Sequence, residues 1–430
     1  MRERGRIAIS LIVCVIVVTG LPILTTASDE NDDGSFFEDL PVETHGFYEV
    51  RGGYRLQNDK YEKDMSIMEN RLQLDMLSYL DWADLKFKGD FIGDLVTEQG
   101  HFDLRELNMF ARPLDFMDLK VGRQILTWGT GDLIFINDMF PKDWQSFFIG
   151  RDTEYLKAPS DAAKVSLFSD AVNLDIVYTP KFDPDRFISG ERISYFNQNL
   201  GRFAGQDAIV HTNRPDRWFQ DSEIAARLYR NINNYEFAVY GYHGYWKSPA
   251  GQDPTMRQAL FPDLNVYGGS VRGTVGKGIG NVELGYYESA DDRSGRNPLI
   301  NNSEMQYLIG YTQEIGKDFT MGLQYYVEQM LNFSRYRRTR TLGPSRDEYR
   351  HLTTLRLTKL LMNQNLRCSL FTYYSPSDKD VYMRPNVNYK ASDNLEMEIG
   401  SNIFFGDYPN TFFGQFRKDT NLYMGLRYSF

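Results

Sequence analysis

Cysteine and histidine are scarce in this chain, with two Cys and five His in 430 residues. Cys14 lies in an apolar run near the start and Cys368 stands far downstream. With Cys14 removed in a leader, no intrachain disulfide can form, and Cys368 reads as a free thiol. The histidines His45, His101, His211, His243 and His351 are scattered, without metal-ligand spacing. No Gly-x-Ser-x-Gly elbow accompanies them, so no catalytic residue, metal or cofactor is expected. Asp183 and Asp185 flank Pro184, a weak calcium-loop pattern that a turn accounts for more simply. A basic excess is also lacking. The formal net charge is −10, which argues against nucleic acid as a partner, because that needs a basic face.

Long apolar runs are equally rare. A mean hydropathy of −0.47 excludes a polytopic helical membrane protein. The single long run, Ile7 to Leu24, follows Arg2, Arg4 and Arg6 and is broken by Thr19, Gly20 and Pro22. Thr25-Thr26-Ala27 offers small residues for cleavage, and the polar, acidic stretch Ser28 to Asp33 follows. This is the layout of a secretory signal peptide over residues 1–27. The run is long enough to be a membrane anchor, but its break and small-residue exit favour cleavage. Cys14 follows Val13 and comes too early for a lipidation site. The remainder divides into a short N-terminal segment, 28–45, and a single body, 46–430.

Aromatics are abundant, with 28 Tyr and 29 Phe, beside 35 Gly. They fall into repeated period-2 alternation, the signature of strands with one apolar face. In 421–430, Leu422, Met424, Leu426, Tyr428 and Phe430 oppose Asn421, Tyr423, Gly425, Arg427 and Ser429. In 394–403, Leu395, Met397 and Ile399 oppose Glu396, Glu398 and Gly400. In 321–328, Leu323, Tyr325 and Val327 oppose Gln324, Tyr326 and Glu328. The same holds for Leu72, Leu74 and Met76 against Glu69, Arg71, Gln73 and Asp75, and for Leu85 and Phe87 against Lys86 and Lys88. About eighteen strands result: 46–57, 66–80, 82–93, 102–112, 115–126, 161–169, 171–180, 220–230, 234–246, 264–275, 279–289, 303–314, 318–332, 348–360, 363–375, 379–390, 394–405 and 420–430. The number is even, as single-chain bacterial barrels require.

Connections alternate between short and long. The short ones carry turn residues: Asp81, Asp115, Asp170, Asn233-Asn234, Gly276-Lys277-Gly278, Gly316-Lys317-Asp318, Asn363-Gln364-Asn365 and Ser392-Asp393. The long ones span 58–65, 94–101, 127–160, 181–219, 247–263, 290–302, 333–347 and 406–419, with 376–378 brief. A soluble sandwich has no reason to sort its loops in this way. An outer-membrane barrel has short periplasmic turns and long extracellular loops. Lipid also forbids an unpaired strand edge, so the sheet must close. The expected fold is therefore an all-β, transmembrane, antiparallel up-and-down barrel with both termini periplasmic. Tyr48, Trp82, Phe110, Tyr178, Tyr242, Tyr287, Tyr311, Tyr373, Phe404 and Tyr428, near strand ends, suit interfacial girdles.

The final strand, ending Leu426-Arg427-Tyr428-Ser429-Phe430, resembles the carboxy-terminal signature of Gram-negative outer-membrane proteins. The resemblance implies that Tyr428 and Phe430 form the signal read by the barrel-assembly machinery, and that outer-membrane lipid and lipopolysaccharide surround the chain. A second stretch holds Val121-Gly122-Arg123-Gln124, then Thr127-Trp128-Gly129, then Asn137-Asp138-Met139-Phe140-Pro141. It is similar to a group of porin-like barrels classed near the alginate-export porins. That likeness covers under a tenth of the chain. It implies a porin-like channel and leaves the solute open.

Residues 127–160 are rich in Trp, Phe, Asp and Gly. Phe135, Ile136, Met139, Phe140, Phe147 and Phe148 need burial, so the segment is expected to fold into the lumen rather than cap the rim. Trp128, Asp132, Asp138, Asp143, Trp144 and Arg151 would then form a pore constriction. The polar strand faces supply lumen-lining candidates: Glu69, Arg71, Asp75, Lys86, Lys88, Arg227, Glu283, Glu328, Arg384, Glu396, Glu398 and Arg427. Signs are nearly balanced, so no ion preference is read. The facing of Arg105, Glu106 and Arg123 stays unassigned. Arg335, Arg337, Arg338, Arg340 and Arg346 crowd one loop, which reads as a solvated loop. The function expected is passive passage of small hydrophilic or anionic solutes. Two alternatives are a structural or partner-binding barrel of an export or electron-transfer complex, and a transporter of hydrophobic substrates. Oligomeric state is not legible.

Overall fold

A computed structural model describes residues 42–339 and 345–430. The candidate signal peptide, residues 28–41 and Arg340 lie outside the described residues. Eighteen strands form one sheet. They are β1 (Val42–Arg55), β2 (Met65–Tyr79), β3 (Asp84–Asp94), β4 (Gln99–Leu114), β5 (Met117–Gln124), β6 (Ser160–Leu167), β7 (Asn173–Thr179), β8 (Glu223–Ile232) and β9 (Tyr235–Tyr245). The second half comprises β10 (Asp263–Val275), β11 (Gly278–Ser289), β12 (Glu304–Gly316), β13 (Phe319–Met330), β14 (Tyr349–Leu361), β15 (Leu366–Ser375), β16 (Asp380–Lys390), β17 (Leu395–Gly406) and β18 (Asn421–Ser429). Each strand pairs antiparallel with its sequence neighbours. β18 returns to β1 in the register Tyr48↔Tyr428, which closes the barrel. Phe430 continues the seam, exchanging 3.0 Å backbone hydrogen bonds with Gly46 in both directions.

Short turns follow local chemistry. Asn233 and Asn234 join β8 to β9 with φ of 46° and 68°, a left-handed pair that Asn tolerates and a tight hairpin needs. Both ends of the barrel chain, at Val42 and Ser429, share the rim that carries the short turns. β1 starts at Val42, so residues 42–45 belong to the wall rather than to the preceding segment. β3 and β4 also run further than their alternation indicates, which shrinks the 94–101 connection to residues 95–98.

Outward positions are apolar and exposed, among them Val50, Phe91, Val239, Ile309, Leu323 and Met424. Inward positions carry Glu49, Arg51, Glu69, Arg71 and Asp90, all buried. Such an inversion has no stable solution in water, because it exposes the apolar face and buries the charges. β4 resolves the ambiguous strand. Glu106 pairs with Lys88 while Leu104 pairs with Gly89, so Arg105 is an extra, bulged residue. Asp103 and Arg105 point inward, and after the bulge so do Glu106 and Asn108, while Phe102 and Leu107 remain exposed outside. Period-2 reading fails here because the bulge shifts the phase by one.

Candidate functional site

Residues 125–159 leave β5 and run along the inner wall. Trp128 packs edge-on against Phe140 and lies 6.2 Å from Tyr240 on β9. Gly131 N–H donates to Glu283 on β11 at 3.1 Å. Asp132 N–H donates to Gln324 on β13 at 2.7 Å, and its carboxylate takes Arg356 of β14. β14 is nine strands from β5 in an eighteen-strand wall, so the segment spans the whole interior. It then turns back through helix α1 (Trp144–Ile149). Asp143 caps α1, accepting from Ser146 N at 2.7 Å, and Gly150 ends it at φ 98°. Only glycine suits that position, because a Cβ there would also strike the Tyr423 ring at 2.6 Å.

The carbonyls around α1 are held by wall residues. Arg384 on β16 donates to Phe147 O at 2.9 Å, Asn421 on β18 to Phe148 O at 3.1 Å and Arg51 on β1 to Gly150 O at 2.7 Å. The chain continues past β2, where Arg151 pairs with Glu69, to β4, where Arg105 donates to Lys157 O at 3.0 Å. The apolar side of the segment is buried: Ile136, Met139, Phe140, Phe147 and Phe148 are all below 9 % exposed. Each buried Phe contributes roughly 1.5–3 kcal/mol.

Four aromatics expected in the girdles, Tyr242, Tyr287, Tyr373 and Phe404, are instead buried on the inner face. The segment supplies the reason. Tyr287 and Tyr373 each donate at 2.5 Å to its carbonyls, at Ile136 and Leu133, and Phe404 packs on Phe148.

The sequence-selected residues separate by exposure. Of the constriction set, Asp138 and Asp143 are buried with their oxygens occupied, Asp138 by Thr127 at 2.9 Å and Lys142 at 3.0 Å. Trp144 is half-buried and donates to Asp185 at 3.3 Å, and Arg151 lies under Glu69. Asp132, with 43 % of its side chain exposed, faces open space most. Of the lining set, Glu69, Arg71, Glu283, Arg384 and Glu398 are covered by the segment or by one another. Asp75, Lys86, Lys88, Arg227, Glu328, Glu396 and Arg427 keep partly open side chains. Lys120 and Lys164 join this open group, each with 29 % of its side chain exposed.

Other interior residues come from loops. Arg192, in the connection 180–222, reaches Glu69 at 3.2 Å, also pairs with Asp94, and donates to Ser66 O. Arg186 binds Asp103 at 2.7 Å and Asp143 at 3.2 Å. A cavity of about 410 Å³ lies between these loops, with His101, Gln145, Arg151 and Arg186 in its lining. Arg346, read as part of a solvated loop, instead bridges Glu304 at 3.0 Å and Glu328 at 2.7 Å. Nothing in the spacing of these arginines marks them, since their partners are set by folding.

Two loop acids, Asp419 buried and Glu62 half-buried, sit near the same mouth. Asp419 accepts from Arg55 at 3.2 Å and from Ser194, yet burial pushes its carboxyl up to about 7. Glu62, nearby, is pushed up to about 8, chiefly by burial.

No protein-family model and no curated protein sequence matches the chain. Solved structures do match in fold. Acinetobacter baumannii OccAB3 superposes with a TM-score of 0.54 at 11% identity, covering 91% of this chain and 99% of that one. Pseudomonas aeruginosa OccK3 (OpdO) gives 0.53 at 11% identity over 90% and 96%. Pseudomonas aeruginosa OccK11 (OpdR) gives 0.52 at 12% over 91% and 96%. The chain thus has the closed, eighteen-strand antiparallel fold of outer-membrane porins.

Proposed function

We propose that the chain is a channel of the Gram-negative outer membrane, with both termini periplasmic, that passes small hydrophilic solutes down their gradient. One observation carries this reading. The wall is apolar outside and charged inside, and the segment that crosses its interior leaves some of the inner charges partly exposed. Partly open charges of both signs, among them Asp75, Lys88, Lys120, Lys164, Glu154 and Arg427, remain along the inner face. A polar, mixed-charge wall suits hydrated solutes and disfavours a hydrophobic cargo. Lys88, Lys120 and Lys164 each pair with a carboxylate, Asp75, Glu106 and Asp175 in turn, so the open wall presents paired charges to a passing solute. The segment 125–159 is the constriction, with Asp132 and Glu154 among its exposed charges and Arg356 of β14 paired to Asp132. The likeness within residues 119–160 to barrels near the alginate-export porins supports a channel and nothing narrower.

Planar-bilayer recording on the refolded chain tests this. Stable open steps are expected. Replacing Lys88, Lys120 and Lys164 together with Gln should shift the reversal potential toward cations. Deleting residues 130–139 should enlarge the steps. A wild-type chain that inserts and gives no steps would sink the channel.

A further inference from the structure

The outward wall is not uniformly bulky. One register row crosses five strands: Leu357 pairs with Leu370 and Leu370 with Pro385, while Ser401 pairs with Leu422. Between β16 and β17 the pairing jumps from Met383↔Ile403 to Asn386↔Gly400, which sets Pro385 opposite Ser401. Pro385 has no N–H to give that ladder. Ser401 Oγ turns away to donate to Asn421 O at 2.6 Å. The row therefore dips at Pro385 and Ser401, and the row beside it dips at Cys368. The result is an apolar groove of about 400 Å³ on the outer surface, lined also by Leu357, Leu370 and Leu422.

Its lining reaches from β14 to β18, and the dip at Cys368, Pro385 and Ser401 crosses two inter-strand spacings of about 4.8 Å, or about 10 Å, roughly half the length of an extended acyl chain. Its two ends differ. Leu422 is near the start of β18, just after the long 407–420 connection. Lys359 is near the end of β14, at the short-turn rim, and also lines the groove. Its Nζ donates to Lys317 O at 2.7 Å, which holds the ammonium against the short turn between β12 and β13. An apolar slot with the Lys359 ammonium at one end matches part of an acyl chain attached to a phosphodiester.

We propose that this groove is a specific site for one anionic phospholipid, part of its acyl chain in the slot and its phosphate on Lys359. The proposal rests on the membrane reading above. The short-turn rim, which holds Lys359 and both ends of the barrel, selects a phospholipid of the inner leaflet. Lipid A, whose phosphates lie outside, would need its cations at the long-loop rim. Glutamine at position 359 removes the charge, and leucine at 368 or 401 fills the slot.

The full chain, refolded in detergent with phosphatidylglycerol, is examined by native mass spectrometry and in parallel by bilayer recording. The wild type should retain one phosphatidylglycerol, and Lys359→Gln, Cys368→Leu and Ser401→Leu should each retain it at least ten-fold less. Their conductance should be unchanged. Equal retention by all four chains, preferential retention of lipid A, or an oligomer that covers this face would overturn the site. A wild type that conducts but holds no lipid overturns the groove alone. One that neither inserts nor holds lipid overturns the channel reading as well.

Discussion

Arg356 donates from Nη2 to Asp132 Oδ1 at 2.7 Å, tying the tip of the inward segment to the wall opposite the strand it leaves. The pair is partly open, with 34 % and 43 % of the two side chains exposed, so its net contribution to stability is small, about 0–1 kcal/mol. Its larger effect is positional. Asp132→Asn should leave the unfolding midpoint nearly unchanged while increasing open-channel current noise. A quiet channel with wild-type step size would show that other contacts hold the tip.

Glu69 behaves differently. It is 3 % exposed and faces Arg71 at 3.3 Å, Arg192 at 3.2 Å and Arg151. Removing its charge leaves three buried guanidiniums short of a partner, at a cost of roughly 3–5 kcal/mol. Glu69→Gln should therefore lower the urea midpoint of the detergent-refolded barrel markedly. Lys63→Gln, which breaks the exposed pair with Glu98, should shift it by less than ~1 kcal/mol. Equal shifts in the two variants would refute this reading of the interior.

Asp419 and Glu62 make the packing of the long loops pH-dependent. Their folded values, about 7 and about 8, stand above the ordinary 3.8 and 4.5. The folded state thus holds protons that the released loop gives up. That contribution is complete below about pH 4 and declines as pH rises to about 7 to 8. Proteolysis within 180–222, whose Ser194 is bound to Asp419 at 3.1 Å, should quicken between pH 5 and 8. The double variant Glu62→Gln, Asp419→Asn should flatten the profile. A wild-type profile that is already flat would exclude these acids as the cause.

Gly46 and Phe430 close the seam through two 3.0 Å backbone bonds, and a Cβ at Gly46 would stand 2.7 Å from the Phe430 ring. Gly46→Val should therefore reduce the heat-modifiable, folded fraction on refolding, as should deletion of Phe430. Folding yields equal to wild type in both would show that the seam closes without this contact.

The sequence alone determined the wall. The strands, β4 with its bulge apart, are written largely in period-2 alternation and in turn residues such as Asn233-Asn234, because side-chain facing and turn geometry are local properties of the chain. The need for residues 127–160 to find burial was also legible, since six large apolar side chains cannot stay in water. Tertiary structure decided the interior. Arg384 meets Phe147 O across 237 residues and Arg51 meets Gly150 O across 99, and no spacing rule encodes such partners. The bulge at Arg105, the inward aromatics Tyr287 and Tyr373, and the deep reach of Arg192 follow from what the segment presents once the barrel has closed. A strand's two faces are set by its own residues, but which charge lies exposed in the lumen and which is buried is set by contacts between distant parts of the chain.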